Sequence, residues 1–159
     1  MFAGQMKIKI KVTVVVIIGF VIVMLNPSFS AQQPDNTSRS VWDGVYTKEQ
    51  VKRGEKLYAQ LCSSCHGQEL AGNDEAAPLS GPAFQASWEG LSVGELSNRV
   101  RVSMPPNDPG TLSRQQIVDI LSYVLSVNGF PSGKTELDSK PEVLKQVRIE
   151  ATKPREKSG

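Results

Sequence analysis

Cys62-Ser63-Ser64-Cys65-His66 holds both cysteines and the one histidine of this 159-residue chain. The spacing C-x-x-C-H is that of a covalent haem attachment site, where two thiols add to the haem vinyl groups and the next imidazole ligates the iron. Haem would also supply apolar filling that a small domain lacks, so a few short helices suffice to enclose it. Two other readings of the motif are weaker. A thioredoxin-type C-x-x-C opens a helix within a βαβ pattern, whereas this one follows a helical stretch. Zinc would be left with two thiolates and one imidazole, short of the usual four-ligand set.

The sixth iron ligand is found by elimination. No second histidine exists, and of the four methionines Met1, Met6 and Met24 fall in an apparent targeting segment. That leaves Met104, just before Pro105-Pro106 and 38 residues after His66. A thioether opposite an imidazole is the ligand pair of an electron-carrying site; the alternatives are a five-coordinate iron or an exogenous ligand. An imidazole ligand needs an acceptor on its second nitrogen, and the backbone carbonyl of Pro78, twelve residues on, is expected to provide it. Trp88 either donates its indole N–H to a haem propionate or plugs the core with that N–H on backbone. Tyr46, Tyr58 and Tyr123 read as packing residues, and Arg99 and Arg101 as surface charges.

The first thirty residues have the form of a signal peptide. Lys7, Lys9 and Lys11 precede an apolar run of fourteen residues, Val12 to Leu25, and Ser28-Phe29-Ser30 offers a small-x-small cleavage pattern. The run is short for a bilayer span, which favours cleavage near Ser30 over an uncleaved anchor. With no cysteine near that point, a lipid anchor is excluded, and the two cysteines committed to haem leave none for a disulfide. Export and haem attachment agree, and together they place the protein in the periplasm.

Without Lys7, Lys9 and Lys11 the chain has 15 basic and 16 acidic residues. Residues 41–130 carry seven basic and ten acidic side chains, and residues 131–159 seven basic and five acidic. Nothing in this balance suggests nucleic-acid binding. A mildly acidic domain with a slightly basic tail is compatible with docking to a protein partner.

Three segments carry the same helix-start pairing, Thr47 with Gln50, Ser92 with Glu95 and Ser113 with Gln116. They predict helices over about 48–61, 93–102 and 114–128, the last ending at Gly129. Residues 67–88 and 103–112, rich in Gly and Pro, are expected to be loop. Residues 31–40 form a flexible lead-in, 41–133 the haem domain, and 134–159 a polar tail, disordered in its last eight or so residues. Within that tail Val143, Leu144, Val147 and Ile149 could cover part of the domain surface.

With these pieces in place, residues 41–133 resemble a bacterial class I cytochrome c with a single haem. The resemblance rests on Gly54-x-x-x-Tyr58, Cys62-Ser-Ser-Cys65-His66-Gly67, Pro78-Leu79-x-Gly81-Pro82, Met104-Pro105 and Ile120-Leu121-Ser122-Tyr123-Val124-Leu125. It implies an all-α fold of three to four short helices around one covalent haem c, with the first and last helices crossing at Gly54, Tyr58 and Tyr123. Shorter stretches, Trp42-Asp43-Gly44-Val45-Tyr46 and Asn128-Gly129-Phe130-Pro131, are similar to segments of cytochromes that accompany periplasmic quinoprotein dehydrogenases. The function expected is one-electron transfer between redox proteins, with no substrate of the ordinary kind. Such a dehydrogenase as donor, and a terminal oxidase or another cytochrome as acceptor, are the partners implied. The membrane enters only if the leader stays uncleaved. Two rival readings are an electron-entry subunit fixed in a dehydrogenase complex, and a haem enzyme or gas sensor with a displaceable Met104.

Overall fold

Each of the three long helices opens on the pairing seen in the sequence. Thr47 Oγ1 accepts from the Gln50 amide at 3.2 Å and Gln50 Oε1 from the Thr47 amide at 3.4 Å. Ser92 and Glu95 repeat the exchange at 3.2 and 2.8 Å, and Ser113 and Gln116 at 3.2 and 2.9 Å. Each box satisfies amides that the first turn of a helix otherwise leaves without partners.

A computed structural model describes residues 38–155. The leader, its cleavage point and Met1, Met6 and Met24 lie outside the described residues, as does most of the lead-in. The helices are α1 (Lys48–Leu61), α2 (Ser63–His66), α3 (Gly81–Trp88), α4 (Val93–Ser103), α5 (Arg114–Val127) and α6 (Pro141–Leu144). A 3-10 turn, Val41–Asp43, precedes α1. Among the described residues no helix is long and apolar enough to cross a membrane.

Packing of α1 on α5 dominates the fold. Gly54 lets the two backbones meet: a Cβ there would fall 1.8 Å from the Asp119 carbonyl oxygen. One turn further along, the rings of Tyr58 and Tyr123 sit 5.4 Å apart. Ile117, Leu121, Val124 and Leu125 of α5 are buried beside Tyr58, Phe84 and Leu96. Asp119, also buried, is held by Arg53 through two hydrogen bonds of 2.8 and 2.9 Å and by Gln115 at 2.9 Å.

The structure corrects the sequence reading in two places and extends it in a third. Residues 81–88, expected as loop, form α3, with Pro82 in its first turn where its missing N–H costs nothing. In the tail Leu144, Val147 and Ile149 do pack on the domain, and with Leu137 they are each 3 % exposed or less and belong to the core. The lead-in is in part ordered, with strand β1 (Arg39–Ser40) pairing in parallel with β2 (Val147–Arg148).

Hydrogen bonds explain why so polar a tail stays in place. Fully buried Gln50 accepts from the Leu137 amide at 2.6 Å and donates to the Leu137 carbonyl at 3.1 Å. Ile149 exchanges bonds of 2.8 Å with the Gly90–Leu91 backbone, and Trp42 Nε1 donates to Glu150 O at 2.8 Å. These partners lie far apart in sequence, which is why no local periodicity announces them.

Candidate haem site

Helix α1 ends by handing the chain to the motif. Cys62 caps it, its amide bonding to Tyr58 O at 2.9 Å, and the chain turns at once into α2. Within that single turn the His66 amide bonds to Cys62 O at 3.0 Å. Residues three apart in a helical turn project to the same side, so Cys62 and Cys65 are presented together. Cys62 is half-buried and Cys65 exposed, and neither is in a disulfide. Burial, with the neighbouring Cys65, pushes the Cys62 thiol up from 9.0 to about 11. A thioredoxin-type thiol requires a shift in the other direction.

His66 is buried, and its Nδ1 lies 2.9 Å from the Ala77 carbonyl oxygen. The acceptor is therefore Ala77 and not Pro78, one residue away from the expected carbonyl. The loop path gives the reason. Gly72 has φ +69°, and a Cβ there would come 2.4 Å from Ala76 O, so the strand of loop 76–78 folds back directly onto it. Asn73 Oδ1 tightens the return by accepting from the Glu75 and Ala76 amides, both at 2.8 Å. That turn leaves the Ala77 carbonyl facing the imidazole, with Pro78 itself exposed at the surface. With Nδ1–H donating to Ala77, Nε2 is the nitrogen free to ligate.

Asn128 supports this loop from the opposite helix, a role absent from the sequence reading. Its Oδ1 accepts from the Gly81 amide at 3.0 Å, and its Nδ2 donates to Leu79 O at 2.9 Å and Val124 O at 2.8 Å. An asparagine at a helix end followed by Gly129 reads as a terminator, and its reach across to residues 79–81 has no local signal.

The other two expected residues sit on separate elements. Met104 caps α4 in an extended conformation, half-buried, its amide on Val100 O at 2.9 Å. Trp88 closes α3, half-buried against the core. No hydrogen bond joins either to the Cys62–Ala77 segment. The donor set nevertheless fits a haem: two thiols on one helical turn, an imidazole of fixed tautomer, and a soft thioether on another element.

Residues 49–124 match the family described as cytochrome c oxidase, cbb3-type, subunit III. No curated protein matches the chain. Among solved structures, the sulfane dehydrogenase SoxCD from Paracoccus pantotrophus is similar at 22% identity with a TM-score of 0.46, over 77% of this chain and 68% of that one.

Proposed function

We propose that this chain, whose residues 49–124 form a c-type cytochrome domain, carries single electrons between periplasmic redox proteins through one covalently held haem. The domain is an electron-transfer module of mainly helical cytochrome c fold. When bound, haem supplies an iron that gains and loses one electron. Cys62 and Cys65 hold it as thioethers, His66 Nε2 and Met104 Sδ ligate the iron, and the Ala77 carbonyl keeps the imidazole oriented. Trp88 donates its indole N–H to a propionate. Two strong ligands leave no site for a substrate, and soft methionine favours Fe(II), raising the potential above that of a bis-imidazole pair. The signal-like leader puts this chemistry outside the cytoplasm.

The observation that carries the reading is the 2.9 Å contact between His66 Nδ1 and Ala77 O beside two thiols on the same turn. Met104→Ala tests it. The wild-type oxidised protein is expected to show a weak far-red sulfur-to-iron band. The variant should lose that band, bind carbon monoxide when reduced, and fall in potential. An unchanged spectrum and potential would mean that Met104 is not the sixth ligand.

A further inference from the structure

Three cations line one groove of a chain whose residues 41–130 have ten acidic and seven basic side chains. A groove of 510 Å³ runs where the tail crosses α4 and the start of α5. Arg101 comes to it from α4, Arg114 from the first position of α5 and Lys145 from the residue after α6. All three are exposed, and among the described residues none forms an ion pair. The one carboxylate in the lining, Glu95, is engaged in its own helix cap, accepting from the Ser92 amide and hydroxyl at 2.8 and 2.9 Å. Those bonds hold it below the usual carboxylate range. At the floor lie Ile117 and Leu144, 1 % and 2 % exposed.

We propose that this groove docks an acidic segment of a partner protein. The class of occupant follows from the exposure of the cations. An exposed cation gains little from one small anion, because water screens the pair to about 0–1 kcal/mol. Several such cations around an apolar floor act instead on an extended run of carboxylates, steering its approach and fixing its register. Lys145 belongs to the tail, outside the matched residues 49–124, so the docking surface is completed by a segment additional to the cytochrome domain. Arg101 precedes Met104 by three residues, about one helical turn, which brings a docked partner near the segment assigned to the sixth ligand. Only the purpose of docking rests on the electron-carrier reading; the binding itself does not.

The test uses the full haem-loaded chain in its reduced form, titrated with hexaglutamate, hexalysine and free glutarate and followed by amide chemical shifts. Hexaglutamate is expected to move the amides of Arg101, Arg114 and Lys145, and hexalysine to move none of them. Binding should disappear in about 1 M salt, where the screening length is about 3 Å. Arg114→Glu should weaken binding by about tenfold, and its stability should be kept, since an acidic residue suits a helix N-terminus. Lys145→Gln should weaken it less. Shifts centred elsewhere, glutarate binding as tightly as the peptide, or an Arg114→Glu variant that binds like wild type would each overturn the proposal. A haem spectrum lacking the far-red band would defeat the electron-carrier reading and leave the docking result standing.

Discussion

Gly54 and Asp119 touch backbone to backbone, with space for a hydrogen and none for a methyl group, whose carbon would lie 1.8 Å from the Asp119 carbonyl oxygen. The crossing of α1 and α5, which sets where α1 ends and so where Cys62 begins, depends on that contact. Gly54→Ala should therefore be destabilising even though alanine favours the helix by about 1 kcal/mol. Overpacking of about 3 kcal/mol leaves a net loss of about 2 kcal/mol. A denaturant midpoint unchanged from wild type would show that the helices can part without cost.

Under the proposed attachment through Cys62 and Cys65, replacing both thiols removes every covalent link to haem. The Cys62→Ser/Cys65→Ser variant is expected to release all haem under denaturing electrophoresis, while either single variant keeps at most one thioether. Haem staying with the double variant on such a gel would place the attachment elsewhere.

Asn128→Ala strips the partners from the Gly81 amide and the Leu79 carbonyl. Loss of these bonds should cost about 2 kcal/mol and loosen the segment that continues from Ala77. The specific sign is at His66: its Nδ1 proton should exchange with solvent faster than in wild type. A stability loss with unaltered exchange at that proton would limit Asn128 to a structural role.

Burial pushes the Tyr46 and Tyr58 hydroxyls up from 10.0 to about 12. Tyr46 donates to Phe130 O, and Tyr58 to Gly67 O at 2.6 Å beside the motif. Because the folded protein holds these protons more tightly than the unfolded chain, their contribution is complete below pH 10.0 and is lost as the pH rises towards 12. The denaturant midpoint should fall across that interval. Tyr46→Phe/Tyr58→Phe should start lower at pH 8 and decline less steeply; an equal slope would assign the alkaline loss to other groups.

The elements legible in the sequence are those whose signals are local. The pairs Thr47–Gln50, Ser92–Glu95 and Ser113–Gln116 each place a helix start correctly because both partners lie within one turn. A related cap at Ser40, whose Oγ accepts from the Trp42 amide and whose own amide donates to Asp43, has no Glu or Gln three residues on and straddles the boundary at residue 41. Helix α3 was hidden by Gly81 and Pro82, which punctuate a loop as readily as they open a helix. Ala77 was missed by one residue, since the carbonyl reaching His66 is chosen by the turn at Gly72 and Asn73 and not by spacing. Leu144, Val147 and Ile149 were legible as apolar positions of the tail, whereas Leu137 was not, because its partner Gln50 lies 87 residues away.

The pairing of Arg39–Ser40 with Val147–Arg148 joins residues more than a hundred positions apart. Contacts of that separation form late, because a long stretch of chain must first be brought to order. The haem motif follows the opposite schedule. Cys62, His66, Tyr58 and Ala77 find their partners within about twenty residues of one another. In a chain emerging amino end first, the attachment segment is whole while the opening residues still await their closing strand. Under the proposed attachment, the Cys62 and Cys65 thiols would therefore be presented to haem by contacts that need no part of the tail.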